Sequence, residues 1–231
     1  MRRRVLGFTV AMVRARYGGA MPELRLFALS INDVRDIFGA DPALASRLRA
    51  SAAAHFAPPE PSRSLLGRIG PLLTRNKAVE VDPRQPLAQD VEVLLSGGHV
   101  PPERLVPCWA LMRCWLQELS ATSLTLSIPD LDRVEFDLAL AGLPSDFSLR
   151  QLAERELGIA LRPLPGHLVG YSKHLHAIST GRHLHRVLDE APDRHGSLRC
   201  VDPLLEMLDD ISRRTGTPLD VVVVQGPGPA G

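Results

Sequence analysis

Six of the eight histidines in the chain are crowded together: His167, His174, His176, His183, His185 and His195. Neutral imidazole is a good ligand for zinc, iron, copper or nickel. On a strand, each of the two His-x-His pairs would set both rings on one face. On a helix the same spacing turns the rings about 200° apart, and Thr180, Gly181 and Arg182 predict that a helix begins near His183. His167, His174, His176 and His183 are therefore the candidate metal set, and they belong to the alternative reading of the chain as a metal-dependent enzyme. No acid or thiolate accompanies them at ligand spacing, so the favoured expectation is that the imidazoles point separately into water. No residue is assigned as catalytic, cofactor-binding or metal-binding, and no cofactor is predicted.

The other reactive side chains form no stronger constellation. Cys108 and Cys114 each precede a tryptophan and lie six residues apart, about 240° around a helix, so the two thiols do not converge. Cys200, beside Arg199 and five residues from His195, is the one candidate nucleophile, and sequence adjacency alone does not make a Cys-His pair. Asp130, Asp132, Glu135 and Asp137 carry enough charge for calcium. The fifth and sixth positions of an EF-hand loop are nevertheless held by Val134 and Glu135, where an oxygen ligand and glycine are required. Glu206, Asp209 and Asp210 precede Arg213 and Arg214 at the spacing of helical ion pairs. Gly67-Arg68-Ile69-Gly70 matches the short GxxG of an RNA-binding KH loop, with Pro71 set against it. The chain has no Walker loop, no GxGxxG, no GxSxG and no HExxH.

Composition narrows the class. The 27 basic and 26 acidic residues leave a net charge of +1, which gives no global field for nucleic acid or an anionic membrane. All the basic residues except Lys77 and Lys173 are arginine, and with the abundant Ala, Leu and Pro this points to a GC-rich genome. Three cysteines without CxxC spacing fit a reducing compartment, and the expected location is cytoplasmic. No apolar run reaches the ~18 to 20 residues of a membrane span. Arg2 to Arg4 followed by the apolar Val5 to Val13 has the outline of a signal peptide, but Arg14 and Arg16 follow at once. Residues 1–20 are expected to be a disordered extension, or Met21 to be the true start.

These residues must be positioned by elements that the pattern predicts in turn. Leu24 to Leu29 reads as a strand, Ser30 or Asn32 caps a helix to Phe38, and Gly39 ends it. Asp41 and Pro42 open a second helix to Phe56. The proline-rich stretch within 57–86 reads as a mobile linker, with a short helix at Ser64 to Leu73. Leu87 to Leu95 reads as a helix closed by Gly97 and Gly98. A long helix opened by Pro101 and Pro102 carries Leu105, Trp109, Met112, Leu116 and Leu119 as a core stripe. A strand follows at Leu124 to Ile128, then a helix capped by Asp130 with Val134, Leu138 and Leu140, and another at Leu149 to Leu157. The last elements are a strand at 168–172, a helix from Asp202 to Arg214 and a β-branched strand from Leu219 to Val224, with a flexible tail over 226–231. The expected fold is α+β, mostly helical with a small sheet of three or four strands, in a single globular domain over 21–225.

The stretches Arg25-Leu26-Phe27-Ala28-Leu29, Asp33-Val34-Arg35-Asp36-Ile37-Phe38-Gly39 and Gly166-His167-Leu168-Val169-Gly170-Tyr171-Ser172-Lys173-His174 together resemble a functionally uncharacterised protein family of actinobacteria. The resemblance extends from about Leu24 to Val224 and implies no activity. The expectation is a non-enzymatic interaction or regulatory module with another protein as its partner, and no nucleic acid or membrane.

Overall fold

The computed structural model describes residues 22–57, 82, 84–128, 130–190 and 198–227. The extension over 1–20, the helix expected at Ser64 to Leu73, the glycines of the GxxG stretch and His195 lie outside the described residues. The fold is α+β: seven α-helices and one four-stranded antiparallel sheet among the described residues, in the order β2-β1-β4-β3. The strands are β1 (Pro22–Leu29), β2 (Thr122–Ser127), β3 (Val169–Ser172) and β4 (Asp220–Pro227). The helices are α1 (Ile31–Asp36), α2 (Pro42–His55), α3 (Ala88–Leu95), α4 (Leu105–Leu119), α5 (Leu131–Leu140), α6 (His174–Glu190) and α7 (Asp202–Arg213). The chain divides into two compact units. The first takes the described residues up to Arg35, of Leu119–Gly158 and from Pro165 onward, and the second takes those of Asp36–Glu118 and Ile159–Leu164.

In the first unit the sheet is built around β1 and β4, paired from Pro22↔Pro227 to Leu29↔Asp220. The strand therefore continues two residues into the stretch expected to be a flexible tail. Val221 to Val224 are all 2% exposed or less, as befits a run of β-branched residues buried on both faces. Alternation divides β1: Leu24, Leu26 and Ala28 face a core shared with Leu126, Val221 and Val223 and with Leu184, Leu188, Leu204, Leu208 and Ile211 of α6 and α7. Gly181 brings α6 close to α7, since a Cβ there would lie 3.2 Å from Cβ of Leu208.

Two stretches differ from the sequence expectation. Leu149 to Leu157 is not an α-helix: a 3-10 turn covers Leu149–Ala153, after which Arg155 bridges to Tyr171. The chain must leave helical geometry to offer its N–H and C=O to β3, which Arg155 does at 3.2 and 2.9 Å. Gly170 lets this crossing happen, because a Cβ there would sit 2.2 Å from the carbonyl oxygen of Ala153. Leu140 does not join Val134 and Leu138 in the core but is 57% exposed. Two residues past Leu138 is about 200° around the helix.

The second unit shows its signals in place. Gly39 adopts φ +106° and donates to the carbonyl of Leu95 at 2.9 Å. Asp41 caps α2 by accepting from the N–H of Leu44 at 2.8 Å, with Pro42 in the first turn. Pro101 and Pro102 open with a 3-10 turn, Pro102–Arg104, that leads into α4. The stripe of α4 is broader than expected: Leu111 and Trp115 are fully buried beside Trp109, Met112 and Leu116, while Leu119 is half-buried. Both tryptophans use their polar edge, donating to the carbonyls of Arg162 (2.7 Å) and Leu48 (2.9 Å). Asp90 is 6% exposed, receives the N–H of Leu87 at 2.7 Å and forms a bidentate pair with Arg104.

Candidate functional site

The helix expected near His183 starts at His174, so His174, His176, His183 and His185 all project from α6. Their settings differ. Nδ1 of His174 donates to the carbonyl of Leu219 at 3.1 Å, and His167, outside the helix, donates to the carbonyl of Pro165 at 3.2 Å. His185 pairs with Asp209 of α7 at 3.0 Å. Asp209 thus meets an imidazole rather than Arg213, whereas Asp210 pairs with Arg214 as the spacing suggested.

His176 and His183 are brought together by a residue that the sequence did not single out. The Phe147 ring stacks on His183 at 3.8 Å between centroids and 13° between planes, and on His176 at 5.6 Å and 21°. Seven residues of helix rise about 10.5 Å, a gap that the two stacking distances nearly fill, so Phe147 lies between the imidazoles. This corrects the expectation of separately hydrated rings: both are half-buried, and Nε2 of His176 is buried without a hydrogen-bond partner. Nδ1 of His183 donates to the carbonyl of Ser179 at 2.8 Å. Two rings on opposite faces of a phenyl group cannot share an ion whose Zn–N bonds are about 2 Å. Among the described residues no three His, Cys, Asp or Glu side chains are grouped to hold a metal.

Several of the other polar residues are held in structural bonds. The carboxylate of Asp220 receives the N–H groups of Ile31 (3.2 Å) and His174 (3.1 Å) and the ammonium of Lys173 (3.1 Å). Asp130 caps α5 through the N–H of Arg133 at 3.0 Å, Asp132 pairs with Arg150, Glu135 accepts from the N–H of Arg150, and Asp137 pairs with Arg133. The acids that the loop pattern had already set aside as a calcium site disperse among arginines and backbone amides. Burial pushes all three thiols up, Cys108 to about 12, so none is an activated nucleophile, and this holds for Cys200. In the second unit an apolar cleft of about 310 Å³ is lined by Ala52, Ala53, Phe56, Leu87, Val91 and Leu111. At its rim, hydrogen bonds from Arg49 hold the Glu92 carboxyl below the usual carboxylate range.

Most of the large apolar side chains are buried, but α5 presents two that are not. Phe136 is 54% and Leu140 57% exposed. Four residues apart, they are neighbours on adjacent turns, and the Arg133 guanidinium sits 5.7 Å from the Phe136 ring centroid. Phe136 was not marked by the helical pattern because that pattern selects the face of Val134 and Leu138, and Phe136 lies opposite. Among the described residues no helix is long and apolar enough to cross a membrane. Compared with protein-family models, with curated proteins and with solved structures, the chain matches none.

Proposed function

We propose that this protein is a non-enzymatic interaction or regulatory module that docks a protein partner through α5. The observation that carries this reading is the exposed pair Phe136 and Leu140, an apolar ridge framed by the ion pairs Arg133–Asp137 and Arg150–Asp132. An aromatic anchor with a charged rim is the usual anatomy of a binding patch. The dispersal of Asp130, Asp132, Glu135 and Asp137 among arginines and backbone amides, and the burial that raises the three thiols, support the same reading. A cytoplasmic location accords with the three free thiols.

The experiment is affinity capture from native lysate with the wild-type chain and with Phe136→Ser/Leu140→Ser as paired baits. Both positions are exposed, so the double variant should melt as the wild type does. A partner retained by the wild type and reduced about tenfold or more by the variant supports the reading, since losing two apolar anchors costs over 1.4 kcal/mol. Equal recovery on both baits, or no partner on either, overturns it.

A further inference from the structure

The charge of the chain is unevenly placed along it. Residues 1–20 hold five of its 27 basic residues, Arg2, Arg3, Arg4, Arg14 and Arg16, and none of its 26 acidic ones. The net charge of +1 is thus +5 on this segment against −4 on the rest, an asymmetry that suits the segment to an acidic counterpart. Between its arginines runs the apolar stretch Val5 to Val13. α5 has the reverse character. From Asp130 to Arg150 five acids stand against Arg133 and Arg150, a net of −3, and Phe136 is 54% exposed among them. The side chain of Asp132 is 85% exposed, so most of it faces solvent even beside Arg150.

We infer that Val5 to Val13 of this same chain covers Phe136 on α5, with the flanking arginines against the acids there, and so competes with the partner of that ridge. The tether is long enough. Glu23 pairs with Ser127 across β1 and β2, and α5 begins four residues later at Leu131. Allowing about 5 Å across the strands, ~3.5 Å per residue to Leu131 and ~1.5 Å per residue of helix, Phe136 is at most about 30 Å from Glu23. The ten residues from Val13 to Glu23 extend to about 33 Å. Such a tether holds the segment at roughly millimolar effective concentration, where a contact too weak for a separate peptide is populated. An anionic membrane attracts the same arginines, but α5 would then keep its aromatic ring and its excess negative charge uncovered. The regulatory half of this inference rests on the reading of α5 as a docking surface; the covering contact does not.

Photocrosslinking of the full chain tests it, with p-benzoylphenylalanine in place of Phe136 and the products mapped by tryptic digestion and mass spectrometry. A second probe in place of Ala139, exposed three residues further along α5, serves should the first chain melt early. The expected product joins α5 to the tryptic peptide from Val5 to Arg14 within one chain of 25.2 kDa. Phe8→Ser/Val10→Ser should lower its yield about tenfold, the effect of losing roughly 1.4 kcal/mol of apolar contact. Arg14→Glu/Arg16→Glu should lower it too, and added salt should weaken the wild-type yield. No crosslink to residues 1–20 from either probe overturns the inference, as do yields unchanged in both variants or a crosslink found only at twice the single-chain mass. Binding of the wild type to vesicles of about 30% phosphatidylserine in phosphatidylcholine, with no crosslink in their absence, assigns the segment to a membrane and overturns it as well. Affinity capture separates the two readings. Phe8→Ser/Val10→Ser should recover about tenfold more of a partner that depends on Phe136, the same free energy now released to it. Unchanged recovery overturns the competition. A partner captured without any crosslink upholds the docking surface and overturns this inference, whereas a crosslink with no partner on any bait upholds the covering contact and overturns the docking surface.

Discussion

The phenyl ring of Phe147 lies face to face with the imidazole of His183, their centroids 3.8 Å apart and their planes 13° from parallel. This stack ties the 3-10 turn Ser145–Phe147 to the middle of α6. An aromatic pair of this kind contributes about 0.5 to 1.5 kcal/mol beyond the area it buries. A double-mutant cycle with Phe147→Leu and His183→Leu, read by urea unfolding, should give a coupling energy of about 1 kcal/mol. Strict additivity of the two single changes would show that the contact contributes nothing of its own.

Two glycines of the first unit should respond to alanine by very different amounts. At Gly170 the new Cβ would meet the carbonyl oxygens of Ala153 at 2.2 Å and Arg155 at 2.7 Å, both backbone atoms that cannot turn aside. Gly170→Ala is expected to cost about 3 kcal/mol or more and to loosen the Arg155–Tyr171 bridge. At Gly181 the nearest atoms belong to the Leu208 side chain, at 3.2 and 3.4 Å. There a gain of about 1 kcal/mol in helix propensity opposes a small repacking cost, so Gly181→Ala should shift stability by less than about 1 kcal/mol. Chemical unfolding of both variants decides the matter, and equal effects would contradict the geometry.

The contrast between these positions also shows what the sequence could reveal. Local signals announced β1, the Asp41 cap of α2, the Asp130 cap of α5 and the valines of β4, because each is encoded within a few residues. The start of α6 was hidden because its buried stripe opens with Ala177, Thr180 and Gly181, small residues that produce no hydrophobic periodicity. Their smallness serves the approach to α7, a tertiary demand that a single segment does not display. Arg155 was misread for the same reason: its partner Tyr171 is sixteen residues away, and the pairing overrides helix propensity. Of the histidine site, the crowding was legible and its organiser, Phe147, was not.

Asp220 joins β4 to two helices, since its carboxylate receives the N–H groups of Ile31 at the start of α1 and His174 at the start of α6. It is 6% exposed and also faces the ammonium of Lys173. Asp220→Asn retains the shape but has one acceptor oxygen for these donors, and the new amide N–H₂ would face a donor in turn. The expected loss is about 3 kcal/mol. Hydrogen exchange at the amides of Ile31 and His174 should accelerate more than at the centre of α6. Unchanged protection of both amides would refute the capping role.

Burial pushes the Cys108 thiol from its ordinary value of 9.0 up to about 12, the neighbouring Asp90 carboxylate adding to the shift. In the unfolded chain the thiol loses its proton near 9, whereas the folded chain retains it to about 12. Below 9 both states are protonated and stability is unaffected. Between these values the folded state binds more protons, so stability falls as pH rises. Burial raises Cys114 and Cys200 in the same direction. Cys108→Ala should therefore lose stability less steeply than the wild type between about pH 9 and about pH 11, whatever the constant cost of the smaller side chain. Urea midpoints measured for both proteins across that range provide the check, and parallel curves would mean that the Cys108 thiol ionises as readily in the folded chain as in the unfolded one.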